Sequence, residues 1–413
     1  MNLLDNNTLI SRNNKLNIIR DFIKKNCYLA PQGSEEWLKT RQSIVGGSEL
    51  ATLNGENPFS TVADLIASKC GLSKFTSNVA TKWGNIFEEL TRIIVQMLFV
   101  YDIPLTEECI YETGSLEGVI PYHRFSPDGL TVIICKQYDG KLIPVIVLLE
   151  FKSPLSSIPS RIVPKYYLPQ VKAGMCDIEM VELGLFVNNM FRKCSLEQFG
   201  NNSQYNIEFH SSDIKKKIEI NDPLAIGILG IYQTKEQRTK FLQIINNDNS
   251  SEYSDDEDTY EDTIETKLIN NELLDVGILN SDDTLTVFQY ICNKYFTIKY
   301  FPPNIYTKRL ESNLPNDILH YPEDIISYQI YETNPNKFIQ KFKKKYNNNG
   351  LYAVGFIPWK LFMADFILVD KDPLYIYQFV PKIESVIKII SDICSTNNMN
   401  ERQSKFNNYF PKN

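Results

Sequence analysis

Histidine is nearly missing from these 413 residues. There are three, His123, His210 and His320, and no two of them stand at ligand spacing. A zinc site is therefore not expected. The eight cysteines (Cys27, Cys70, Cys109, Cys135, Cys176, Cys194, Cys292 and Cys394) are scattered and never form C-x-x-C, which reads as a reduced, soluble, intracellular protein. No apolar run approaches the ~18 residues of a membrane span. No basic stretch followed by an apolar core opens the chain, so neither a membrane span nor a signal peptide is expected.

The chain as a whole also lacks the positive charge of a nucleic-acid enzyme, with a net charge of −7. That deficit is local. Residues 249–266 hold eight acids (Glu252, Asp255, Asp256, Glu257, Asp258, Glu261, Asp262 and Glu265) and no Lys or Arg, and the remainder carries +1. Overall charge thus does not exclude a polyanionic ligand.

What is present is a pattern of elements. Leu16, Ile19, Phe22 and Ile23 predict a short amphipathic helix near the start. Residues 34–56 read as a helix capped near Ser34, a Gly-Gly break at 46–47 and a second helix from Ser48. Ile86, Phe87, Leu90, Ile94, Met97 and Leu98 recur at helical spacing over 81–100. Strands are predicted at about 117–125, 130–136 and 143–152, then a helix over 164–176 and a strand over 181–189. Further on, residues 351–370 read as two strands around Pro358 and Trp359, and 379–394 as an apolar-striped helix. This order fits a mixed sheet flanked by helices. The expected division is a core over 1–245, an acidic disordered linker over 246–266, and a C-terminal elaboration over 267–413 whose 351–395 stretch packs back on the core sheet.

The chemistry concentrates between residues 126 and 152. Ser-Pro-Asp-Gly ends at one strand, and Glu-Phe-Lys (150–152) closes the next. Residues two apart share a strand face, so Glu150 and Lys152 can point at the site of Asp128. Two carboxylates suit a hard divalent cation, and a lysine beside them can orient or deprotonate a water that attacks phosphorus. A turn and an ordinary alternating surface strand would also produce this stretch.

Four neighbours sharpen it: Q-G-S-E-E-W-L-K-T-R (32–41), I-V-G-G-S ending at Ser48, W-G-N-I-F-E-E (83–89), and Y-Y-L-P-Q-V (166–171). In order and spacing this set resembles the lambda exonuclease-like (YqaJ) viral recombinase and alkaline exonuclease family of the PD-(D/E)xK nuclease superfamily, members of which come from large DNA viruses. The likeness is densest over 32–190. It implies an α/β (α+β) fold with a restriction-endonuclease-like core. It implies metal binding by Asp128, Glu150 and the Phe151 carbonyl, with Glu88 assisting through water. Lys152 would be the catalytic lysine and Gln170 would complete the site. Arg41, Ser48 and Ser126 would grip a DNA 5′-phosphate, an arginine fork with two hydroxyls being suited to a terminal phosphate.

The activity so implied is an Mg²⁺-dependent phosphodiesterase, with Mn²⁺ as a substitute. It would digest double-stranded DNA ends 5′ to 3′ with release of 5′-phosphates, in viral recombination, repair or replication. The host cytoplasm or nucleus is its expected place. A single-strand annealing protein and a homotrimer are the partners the resemblance suggests. Alternatives stay open. Glu88 could be a surface glutamate paired with Arg92, or Glu89 the true ligand. Gln170 could be a first-turn polar residue, and Arg41 a structural ion-pair arginine. Trp37 and Trp83 read as core rather than stacking platforms. Lys215–Lys217 and Lys343–Lys345 are solvated faces or phosphate contacts. For the whole chain the alternatives are a structure-specific endonuclease on the same scaffold, or a DNA-end-binding scaffold with vestigial catalysis.

Overall fold

The computed structural model describes residues 4–26, 42–73, 79–100, 103–155, 157–194, 199, 205–208, 217–220, 222–240, 296–321, 339–340 and 350–411. Arg41, Trp37, the acidic tract and Lys343–Lys345 lie outside them, as do the side chains of Lys215–Lys217.

In chain order the helices are α1 (Asn6–Asn26), α2 (Leu50–Leu53), α3 (Val62–Lys69), α4 (Val79–Phe99), α5 (Leu168–Asp177), α6 (Thr307–Leu310), α7 (Val380–Ile393) and α8 (Met399–Tyr409). The strands are β1 (Val45–Gly46), β2 (Leu116–Glu117), β3 (His123–Phe125), β4 (Gly129–Lys136), β5 (Leu142–Lys152), β6 (Leu183–Lys193), β7 (Tyr205–Glu208), β8 (Lys217–Ile220), β9 (Ala225–Thr234), β10 (Thr297–Tyr300), β11 (Asn304–Ile305) and β12 (Leu351–Asp370).

A mixed sheet forms the centre, in the order β10-β9-β12-β6-β5-β4, with β11 also on β9. The β5–β6 pair is parallel and its strands are joined through α5, whereas the other pairs of this sheet are antiparallel. The fold class expected from the sequence, a mixed sheet flanked by helices, is what the chain adopts. Strand β5 is apolar from Leu142 to Leu149 because helices cover both its faces. Val145, Val147, Leu149 and Phe151 join the cluster under α4, built on Trp83, Ile86, Phe87, Leu90 and Ile94. Ile146 and Leu148 point the other way, to α1 and α5. Trp83 is a core residue, its ring 4.5 Å from that of Phe87.

Residues 351–370 form one twenty-residue strand, not two. Pro358 reads as a breaker because it cannot donate to a ladder. Here its carbonyl accepts from Cys194 N, just past the end of β6, so the missing N–H faces a side where the β6 ladder has run out. The strand adapts by register shifts at Ala353/Gly355 and Leu361/Met363.

A third cluster seats α7 (Ile383, Val386, Ile390, Ile393) against Val45, Leu50, Leu53 and Ile66. Helix α7 thus braces the segment that carries Ser48. Gly47 is required there for close approach: a Cβ would come within 2.6 Å of the Phe125 ring, whose other side lies against Gly174 of α5.

Candidate active site

The end of β5 and the start of β4 set the site. Gly129 pairs with Leu149, so Asp128 and Glu150 fall one step further along as cross-strand neighbours. The Phe151 N–H donates to Asp128 Oδ2 at 2.6 Å, which fixes the carboxylate at the strand mouth. The Lys152 ammonium donates to Glu150 Oε1 and stands 3.9 Å from Asp128 Oδ2. Glu150 is fully buried, and its second oxygen, Oε2, has no hydrogen-bond partner.

Glu88 projects from α4 into the same electrostatic neighbourhood. Burial and the Asp128 charge push its carboxyl up to about 7, against the pull of Lys152 and Arg92. Burial, then Asp128, push Glu150 up to about 8, against the pull of Lys152. Burial opposes the charge on Lys152, yet Glu150 and Asp128 together outweigh it and raise the ammonium's pKa. The site thus concentrates more negative charge than one lysine neutralises.

Arg92 decides between the two glutamates of α4. Its guanidinium meets Glu89 at 3.0 Å and Glu112 at 2.8 Å, and it donates to the Asp128 carbonyl at 3.2 Å. Glu89 is therefore held in an ion pair, and Glu88 is left facing the acids. A buried chain below fixes the height of α4 on the sheet. Thr91 Oγ1 lies 3.2 Å from Ser153 Oγ, and Asn189 donates to Thr91 at 3.1 Å. The reach of Arg92 to Glu112 and the Asp128 carbonyl, like this buried chain, leaves no sequence signal, because it depends on how α4 lies on the sheet. The one available signal was the i+4 spacing of Arg92 from Glu88, and it pointed to the wrong glutamate.

Gln170 is buried in the first turn of α5, where a Cβ on Gly47 would lie 3.6 Å from its Cγ. It faces the Ser48 segment. Tyr167, one turn earlier, places its ring 5.1 Å from the Lys152 ammonium, a cation–π contact that holds the lysine over the acids.

Ser48 and Ser126 are exposed and each follows a strand of one parallel ladder. Val45 lies beside His123 and Gly46 beside Arg124, so each serine leaves the ladder two residues later in the same direction. His123 pins this ladder, with Nδ1 2.9 Å from Val45 O and Nε2 3.0 Å from Asp177 Oδ2. Ser126 Oγ donates to Thr113 O at 3.3 Å.

The donor set suits a hard divalent cation, being oxygen-rich and in excess negative charge, with a buried Glu150 oxygen lacking any partner. Even so, no three acidic, histidine or cysteine side chains among the described residues already stand together as a cage. The geometry accounts for that: Lys152 lies between Glu150 and Asp128, and the Phe151 N–H engages Asp128. In this arrangement the ammonium occupies the space between the two carboxylates.

With that geometry in view, residues 36–176 match the model of the YqaJ-like viral recombinase domain. A protein of African swine fever virus (strain Badajoz 1971 Vero-adapted) is 32% identical over 222 residues, 50% of this chain and 61% of that protein. Its counterpart in the Pretoriuskop isolate is 34% identical over the same shares. An uncharacterized protein of Acanthamoeba polyphaga mimivirus is 26% identical over 46% of this chain and 33% of its own. The match thus spans less than two thirds of these relatives. Among solved structures, an alkaline exonuclease from Laribacter hongkongensis is similar over 38% of this chain and 73% of its own, with 20% identity and a TM-score of 0.27. No helix among the described residues is long and apolar enough to cross a membrane.

Proposed function

We propose that this chain is a divalent-metal-dependent deoxyribonuclease of the PD-(D/E)xK kind that digests duplex DNA from its ends. The observation that carries the reading is the buried Glu150, with one oxygen unpartnered and the other on Lys152, set opposite Asp128. Asp128, Glu150 and the Phe151 carbonyl hold the cation, Mg²⁺ or in its place Mn²⁺, with Glu88 holding water beside it. The bound cation supplies Lewis acidity, polarising a phosphoryl oxygen and acidifying water.

The chain's own residues do the rest. Asp128 is positioned by the Phe151 N–H and, through its carbonyl, by Arg92. Lys152 offsets charge on the phosphorane and orients the attacking water, steadied by the Tyr167 ring. Gln170 closes the site from α5. Arg41, Ser48 and Ser126 receive the 5′-phosphate that each cut leaves, which favours stepwise digestion from 5′ to 3′. Support for the serines is the parallel ladder from which both segments emerge.

The proposed setting is viral recombination, repair or replication, where resection leaves a 3′ strand for an annealing protein. A homotrimeric ring would give processivity. The test uses linear duplex labelled at the 5′ or the 3′ end, and a closed circular duplex, each with Mg²⁺ and with EDTA. Loss of the 5′ label first, an intact circle and silence in EDTA are expected. Cutting of the circle would instead support an endonuclease, and activity in EDTA would remove the metal mechanism.

A further inference from the structure

Once a cation sits between Asp128 and Glu150, the Lys152 ammonium cannot stay where it now lies. The ammonium lies between the two carboxylates, on Glu150 Oε1 and 3.9 Å from Asp128 Oδ2, so a cation that bridges them takes that space and repels the ammonium toward another acceptor. The neighbouring strand offers one. In the parallel β5–β6 pair, Lys152 stands directly beside Asn188, and adjacent residues of paired strands share a face. Asn189, the next residue, points to the opposite face and donates to Thr91 of α4, so Asn188 is on the side of Lys152. Asn188 is 4% exposed and its Oδ1 has no hydrogen-bond partner. A buried acceptor left without a donor is costly, and an ammonium, with three N–H donors and no acceptor, is its natural complement.

We propose that the Asn188 carboxamide oxygen is the second seat of the Lys152 ammonium, taken when a divalent cation displaces it from Glu150. Asn188 is then a positioning residue that acts through Lys152. It sets where the lysine stands relative to the phosphorus and lowers the cost of admitting the cation. Beyond it on β12, Asp365 pairs with Asn188 and accepts the Arg161 N–H at 2.7 Å. The seat is therefore closed on its far side by a carboxylate already engaged with the loop that follows β5. This inference rests on the reading of the acid pair as a cation site.

The test is calorimetric titration of the full chain with Mg²⁺ alone, without DNA. Asn188→Leu, which keeps the bulk but loses the acceptor, should bind Mg²⁺ about tenfold more weakly. Asn188→Asp should bind at least as tightly as the parent. In the Lys152→Met background, Asn188→Leu should cost nothing, a coupling that a purely structural residue would not show. The ¹⁵Nζ resonance of Lys152, assigned by its loss in Lys152→Met, should move on saturation with Mg²⁺ in the parent chain. This last readout needs no Asn188 variant to fold. If Mg²⁺ binds the parent yet the resonance stays, or Asn188→Leu binds equally well, the second seat is refuted and the cation site stands. If the parent binds no Mg²⁺, the cation site itself falls, and this inference with it.

Discussion

The main-chain N–H of Phe151 donates to Oδ2 of Asp128 across 2.6 Å. A backbone group of β5 thereby holds the carboxylate contributed by the turn before β4, so the two strands cannot slip without dismantling the site. Asp128→Asn should lower nuclease activity about a hundredfold or more, since loss of mere partners of metal ligands already costs 10–100-fold. Thermal stability should hold or rise, because one of the crowded negative charges is gone. Digestion of linear duplex, together with a melting curve, checks both halves.

Glu88 and Glu89 should separate cleanly. Glu88→Gln should reduce activity about tenfold or more, whereas Glu89→Gln should stay within about twofold, because surface ion pairs contribute about 0–1 kcal/mol. Equal losses would mean that the Arg92 ion pair, and not Glu88 itself, supports the site.

The metal-free protein should lose stability as pH rises. Glu88 and Glu150 bind protons more tightly in the folded chain, at about 7 and about 8, than a free glutamate at 4.5. Their contribution is therefore full below 4.5 and is lost as pH climbs through those two values. In EDTA the melting temperature should fall between pH 5 and 8.5. Added Mg²⁺, which favours the ionised carboxylates, should flatten that slope. A melting temperature that rises across this window in EDTA would contradict the crowded-acid picture.

The serine edge predicts a substrate preference. Ser126→Ala, Ser48→Ala and Arg41→Ala should each slow digestion of 5′-phosphorylated ends more than of 5′-hydroxyl ends. Equal slowing of both would remove the phosphate pocket while leaving the cutting chemistry untouched.

Much of the centre was legible in the chain. β4 and β5 stand out as apolar runs closed by turns, and α4 by its helical period, since burial on both sides of the sheet demands that pattern. The meeting of Asp128, Glu150 and Lys152 followed from period-two alternation and one hairpin. Asn188 and the ring contact of Tyr167 were not legible. Their meeting with Lys152 depends on how β5, β6 and the α5 crossover between them stand side by side, which leaves no local trace. β12 was misread for a related reason. A proline breaks a ladder only on the side its nitrogen faces, and sequence does not say which neighbour ends there.

β12 has a consequence for how this protein comes into being. Its twenty residues lie between β6 and β9, although more than a hundred residues separate Thr234 from Leu351. During synthesis, β6 and β9 must wait with unpaired edges until residue 370 has left the ribosome, so the central sheet closes long after β9 has been made. Such distant pairings make folding slow. A chain truncated before Leu351 would keep every proposed catalytic carboxylate and still expose two open strand edges, the kind of surface that aggregates.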